Sequence, residues 1–276
     1  VKRLPTAGQG TIWHGDCLDL LRHVPGGSVS LICTSPPYPK MKGFDLDGEQ
    51  WLDWFVGWAD TAVAAMKPNG VFVLNIWFGR EDDGFAGSGM FEIPRLAESL
   101  GLRLLDTYIY AKPNPAPNGP LTYCDPPGWE PIWVFTNARD PRDVTFNPYR
   151  KAYAAKSLRA NGAVYTTRSQ SADAHPKGAR QTTLMTMSKS ADQNRPKAKG
   201  ISFPRDLPRR FIGQYTNPGE LVLDPFAGVG TTVRVAVEMG RAGLGIEIDE
   251  DEAAKAREWI AEPMQGSLLK KVPDVH

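Results

Sequence analysis

The chain of 276 residues is long enough to bury one sizeable core and to carry an insertion. A hydrophobic content of 41% and a net charge of +1 fit a water-soluble globular protein, and no apolar run is long enough to span a bilayer. Cys17, Cys33 and Cys124 form neither a metal-ligand spacing nor a disulfide framework, and no signal peptide is read, so the expectation is a metal-free, reduced, cytoplasmic protein.

Taken in order, Thr11–His14 reads as a short strand and Gly15-Asp16 as a turn. Asp16 is a candidate cap for a helix over Cys17–Val24, which Pro25-Gly26-Gly27 ends. The next run, Val29-Ser30-Leu31-Ile32-Cys33, is a buried strand by composition. It stops abruptly at Thr34-Ser35-Pro36-Pro37-Tyr38. Two prolines cannot continue a ladder, and Pro36 biases Ser35 towards extended backbone. A stiff loop with a hydroxyl, exposed carbonyls and an aromatic face suits a planar ring bearing an amine. Read alone, it is equally a strand-ending turn.

Residues 39–50 are polar and Gly-containing, a loop over that turn. Trp51–Met66 has apolar positions at helical spacing, and its aromatics read as core rather than as a stacking platform. Lys67-Pro68-Asn69-Gly70 reads as a turn into the strand Val71–Ile76. After a loop over Gly79–Gly89 come a helix over Phe91–Leu100 and strands over Leu102–Tyr110 and Pro131–Phe135. Helices alternating with long apolar strands predict a mainly parallel α/β sheet covered on both faces.

Asn137–Gly200 breaks this pattern, being poor in large apolar residues, with Tyr149, Tyr153 and Tyr165 among basic residues. From Arg150 to Arg210 there are 14 Lys and Arg against 3 Asp and Glu, a net +11, which leaves −10 for the rest. One segment therefore carries the positive field a polyanion requires, unless it is simply a solvated basic linker. Beyond it, Arg209–Tyr215 and Glu250–Ile260 read as helices.

Leu221-Val222-Leu223-Asp224-Pro225-Phe226-Ala227-Gly228-Val229-Gly230-Thr231-Thr232 reads as strand, glycine turn and helix start. The strand Gly243–Ile248 then brings the carboxylate of Glu247 about twenty residues on, where an acid can accept both ribose hydroxyls. A nicotinamide fingerprint would want glycine at Val233. An acid before the loop also argues against a pyrophosphate and fits a cationic ligand.

Together, Thr34-Ser35-Pro36-Pro37-Tyr38 and Asp224–Thr232 resemble the catalytic and S-adenosylmethionine loops of the DNA amino-methyltransferases, in the order of their β group. The resemblance covers most of the chain outside the middle third. It implies a Rossmann-like methyltransferase fold with permuted motif order. Residues 1–136 form the catalytic half, 137–200 a basic target-recognition insertion and 201–276 the cofactor-binding half.

By that resemblance Ser35, Pro36, Pro37 and Tyr38 are catalytic, and Asp16 sits near the adenine amine rather than only capping a helix. Thr34, Phe203, Pro204, Asp224, Phe226, Gly228, Gly230, Thr231, Thr232 and Glu247 join it around the cofactor. Many relatives have His-Pro before Phe203-Pro204's segment, whereas here Lys199-Gly200 precedes Ile201. Lys151, Lys156, Arg159, Arg168, Lys177, Arg180 and Lys189 are the positions expected to face double-stranded DNA.

The implied reaction is methylation of the N4 amine of a flipped cytosine, because Ser at the first loop position resembles the N4-cytosine enzymes and Asp is commoner in N6-adenine enzymes. C5 methylation is set aside because none of the cysteines follows a proline. An N6-adenine enzyme, or an inert DNA-binding protein on this fold, are the alternatives. A cognate restriction endonuclease is a partner the resemblance admits; the oligomeric state is not readable.

Overall fold

The computed structural model describes residues 2–41, 43–79, 86–112, 128–148, 150–151, 179–180, 182–186, 195–199 and 203–263. Its strands are β1 (Gly10–His14), β2 (Val29–Thr34), β3 (Met66–Asn75), β4 (Arg103–Ala111), β5 (Trp129–Thr136), β6 (Arg150–Lys151), β7 (Ala179–Arg180), β8 (Leu184–Thr186), β9 (Leu221–Asp224) and β10 (Ala242–Glu247). The helices are α1 (Cys17–Leu20), α2 (Gly48–Ala64), α3 (Ile93–Ser99), α4 (Asp206–Tyr215), α5 (Thr231–Glu238) and α6 (Glu250–Ala261).

Eight strands form one sheet in the order β1-β10-β9-β2-β3-β5-β4-β8, and β6 and β7 form a separate ribbon. Within the eight-stranded sheet all pairings are parallel except β3–β5 and β5–β4. The central strands β2, β3, β5 and β9 are apolar on both faces, as a doubly covered sheet requires. Alternate residues enter different cores. Ile32, Phe72, Leu74, Phe135 and Leu223 pack with the aromatic face of α2. Leu31, Cys33, Val71, Val73, Val134 and Val222 pack with Phe211 and Ile212 of α4. Trp51, Phe55 and Trp58 are fully buried, so these aromatics of α2 are core, as their spacing implied, whereas Trp54 is only partly buried.

β9 and β2 are neighbours, yet β9 leads through α5 to β10 on one side while β2 leads through α2 to β3 on the other. The chain thus diverges at their C-terminal ends and leaves a crevice there, the position where open α/β sheets bind ligands.

Some boundaries differ from expectation. β3 begins at Met66, before the expected turn, because Met66 pairs with Val29; the turn residues are absorbed as a register shift, with Asn69 at φ 60°. The helix after Asp16 tightens into a 3-10 turn over Leu21–His23. A similar turn, Gly89–Phe91, precedes α3, which has a proline in its first turn. Within the 137–200 segment, Leu184–Thr186 adds a strand to the main sheet by pairing with β4. Tyr149, Tyr153 and Tyr165 lie outside the described residues.

Candidate active site

The loop after β2 is braced from two sides. A capping box of Asp47 and Gln50 starts α2, and one turn in, Trp51 Nε1 donates to the Pro37 carbonyl at 2.7 Å. That bond holds a proline-ended strand that no ladder can hold. On the other side Ser35 Oγ donates to the Tyr38 hydroxyl at 3.3 Å, and Tyr38 donates to Glu130 Oε2 at 3.1 Å. Burial, reinforced by the Glu130 carboxylate, pushes the Tyr38 phenol well above its usual pKa, so it remains a neutral donor. Glu130 pairs in turn with Lys112.

The loop after β9 is tied in the same manner. Asp224 is buried and accepts from Thr34 Oγ1 at 2.7 Å and from the Phe226 N–H at 3.1 Å. Burial pushes its pKa up to about 6, and the Glu247 charge adds to the shift. Gly228 and Gly230 adopt φ of 51° and 83°, which glycine allows without strain. The turn they make lets the Gly228 N–H donate to Glu247 Oε2 at 2.7 Å, while the Asp249 N–H donates to Oε1 at 2.8 Å. Burial raises the Glu247 pKa as well, with Asp249 and Glu252 contributing.

Between the two loops lies a cleft of about 590 Å³. Of the residues singled out from sequence, Asp16, Ser35, Pro36, Pro37, Tyr38, Phe226, Gly228 and Glu247 line it. Asp16 also caps α1 through the Leu18 N–H at 2.9 Å, so the capping role is made while the residue lines the cleft. Thr34, Asp224, Gly230, Thr231 and Thr232 do not reach the cleft wall. They are buried beneath it, where Thr34 and Asp224 bond each other and Thr232 Oγ1 approaches the Cys33 carbonyl at 3.4 Å. Phe203 and Pro204 are likewise absent from the wall. Phe203 packs into the α4 core, and its carbonyl accepts from Arg195 at 2.7 Å.

Ala198 and Lys199 line the cleft in their place, and Lys199 Nζ bonds Asp249 and Asp251, each at 2.8 Å. That closure, the Trp51 brace and Glu130 were not read from sequence. Only Glu130 left a signal there, as a lone carboxylate in the apolar strand Trp129–Thr136.

Glu247 commits one lone pair of each oxygen to the backbone, which leaves acceptors for a pair of adjacent hydroxyls. With Asp249 paired to Lys199 and Glu252 to Lys255, it is Asp16 and Glu247 on the wall and Asp224 below it that favour a cationic ligand over a pyrophosphate. Among the described residues no cluster is placed to hold a metal ion, and no helix is long and apolar enough to cross a membrane. Lys151 and Arg180 fall on the β6–β7 ribbon, whereas Lys156, Arg159, Arg168, Lys177 and Lys189 lie outside the described residues.

A family model described as DNA methylase matches residues 29–258. The Type II methyltransferase M.PvuII of Proteus hauseri is 25% identical over 90% of this chain and 83% of its own. DNA adenine methyltransferase YhdJ of Escherichia coli K12 is 28% identical over 87% of this chain and 79% of its own. The solved PvuII DNA methyltransferase, described as cytosine-N4-specific, superposes with a TM-score of 0.71, covering 96% of this chain and 92% of that one at 21% identity. TTHA0409 of Thermus thermophilus, solved complexed with S-adenosyl-L-methionine, gives 0.61 over 91% and 93% at 23% identity. At such identities the structural likeness is one of fold.

Proposed function

This chain belongs to the DNA methylase family, and from that premise we propose that it methylates the exocyclic N4 amine of a cytosine flipped out of double-stranded DNA. The observation that carries the proposal is the meeting of the Ser35–Tyr38 loop, the Gly228 turn and Glu247 around one cleft. S-adenosylmethionine, when bound, supplies an electrophilic methyl group on a sulfonium sulfur. Glu247 is the group to hold its ribose hydroxyls and Asp16 to approach its adenine amine. The acidic floor favours its positive charge.

The amine of cytosine is a weak nucleophile because its lone pair delocalises into the ring. Ser35 Oγ and the Pro36 carbonyl are the acceptors for its two N–H groups. Acceptance at both favours a pyramidal nitrogen whose lone pair is available. The gain comes from positioning and fixed dipoles, without a covalent enzyme intermediate. A base inside a duplex cannot enter the cleft, so it is flipped, with the Tyr38 ring as one wall. Residues 137–200 are the target-recognition insertion in this reading.

Ser35, at the first position of the loop as in the N4-cytosine enzymes it resembles, supports cytosine. The match to YhdJ favours a second reading, N6 methylation of adenine. The deciding experiment incubates the protein with tritium-labelled S-adenosylmethionine and mixed-sequence duplex DNA, then separates the nucleosides by mass. N4-methylcytosine is expected. N6-methyladenine alone would install the second reading, and cofactor binding with no label in DNA would remove the enzyme assignment.

A further inference from the structure

Glu130 is 4% exposed, sits on β5 between β3 and β4, and does not line the cleft. Burying a carboxylate is costly even beside an ammonium that, like Lys112, stays partly exposed, and apolar side chains of similar volume would commonly stabilise such a site at least as well. The Lys112–Glu130 pair therefore calls for a reason other than stability. Its surroundings supply one. The second oxygen of Glu130 accepts a hydrogen bond from the Tyr38 hydroxyl, and the Tyr38 oxygen accepts one from Ser35.

The direction of that chain is set by chemistry. A carboxylate paired with an ammonium can only accept. A further acceptor at the Tyr38 hydroxyl is Asn75 Oδ1, at 3.5 Å, whose own amide nitrogen is bonded to the Pro131 carbonyl at 3.1 Å. It too presents an acceptor. Facing acceptors at both positions, Tyr38 directs its proton away from Ser35, and its oxygen accepts a hydrogen bond from Ser35. We infer that Glu130, held by Lys112, is a positioning residue that fixes this order, so that Ser35 presents lone pairs rather than a proton to the cleft.

An unconstrained serine hydroxyl donates as readily as it accepts. If Ser35 donated into the cleft, it would oppose the N–H of an amine and suit a ring carbonyl instead. Glu130 thus biases the site towards bases that carry an amine and against keto bases such as thymine or uracil. The Tyr38 phenol, kept neutral by its burial, transmits that bias without losing its proton. The inference rests on the reading of Ser35 as the acceptor for the target amine.

The test uses the whole chain, labelled S-adenosylmethionine and mixed-sequence duplex DNA in single turnovers. Glu130→Gln keeps the shape but can donate as well as accept. Tyr38→Phe keeps the ring and removes only the hydroxyl. Each is expected to slow methyl transfer roughly ten- to a hundredfold, with cofactor affinity and half-saturating DNA unchanged. The double variant is expected to be no slower than Tyr38→Phe alone, because both act through one chain.

If the parent transfers methyl groups and Glu130→Gln matches it within twofold, or if the two losses multiply, the relay is overturned while the function stands. A parent that labels no DNA overturns the function and the relay with it. Should Glu130→Gln melt below the assay temperature, Ser35→Ala and Tyr38→Phe decide the matter. Tyr38→Phe must then slow the parent yet add nothing in a Ser35→Ala background; a multiplied loss overturns the relay.

Discussion

Glu247 anchors the turn between β9 and α5 before any ligand arrives, since its oxygens hold the Gly228 and Asp249 N–H groups at 2.7 and 2.8 Å. Removing it has two consequences. Glu247→Ala is expected to weaken cofactor binding by about 1.5–3 kcal/mol, the worth of hydrogen bonds to a charged group, as calorimetry would read. It should also lower the melting temperature, because two backbone donors lose their acceptor; unchanged affinity would remove the ribose assignment.

Asp224 behaves oppositely. Its folded pKa of about 6 lies above the ordinary value of 3.8, so the folded state holds the proton more tightly than the unfolded chain. The stability linked to that proton is complete below about pH 4 and is lost as the pH rises through about 6. Asp224→Asn retains an oxygen for Thr34 and Phe226 and removes the buried charge. It is expected to be more stable than the parent at pH 7.5 by up to about 3 kcal/mol, with the difference closing towards pH 4. Urea melts at the two pH values check this, and an unchanged difference between them would refute it.

Among the elements, β10 leaves no room for a side chain at Gly245. It lies between β1 and β9, and a Cβ at Gly245 would stand 2.6 Å from Ile12 Cδ1 and 2.7 Å from Ala227 Cβ. Ala227 belongs to the turn after β9, and its N–H donates to the Ile246 carbonyl at 2.9 Å. The strand is stripped of a side chain so that the turn can lie flat on it. Gly245→Val is expected to destabilise the fold by roughly 1–3 kcal/mol through overpacking, and to weaken cofactor binding as Ala227 is displaced. Chemical denaturation and calorimetry on the same variant test both effects. α2 has a comparable double role, because one face fills the core while the Trp51 N–H reaches out to hold Pro37.

Across the whole molecule, the basic run divides into two parts. Several of its C-terminal members are engaged within the fold. Arg205 and Arg209 pair with Glu238, Lys199 with Asp249 and Asp251, and Arg195 holds the Phe203 carbonyl. The charge offered to DNA is thus expected to come from positions 150–189. Each phosphate neutralised should steepen the slope of log affinity against log salt by about 0.9. Charge reversals at Lys177, Arg180 and Lys189 are expected to flatten that slope and weaken binding, whereas reversal at Arg209 should lower the melting temperature. Fluorescence anisotropy over a salt series separates them; an unaltered slope would exclude this segment as the DNA face.

The sequence by itself determined where β2 and β9 end and their turns begin. Prolines after Thr34 and glycines after Asp224 act through backbone sterics, which are local and need no partner. Continuous apolar runs likewise told that β2, β3, β5 and β9 are buried on both faces, and the order of the two loops implied the permuted layout only through its resemblance to the β group. Tertiary structure decided which side chains meet. Thr34 and Asp224 are 190 positions apart, and Tyr38 and Glu130 are 92 apart. Sheet order alone makes them neighbours, and so turned motif residues into buried supports. It likewise brought Glu130, Trp51 and Lys199, which belong to neither motif, into contact with the site. Side-chain partners depend on strand adjacency, and adjacency is a property of the assembled sheet rather than of any local window.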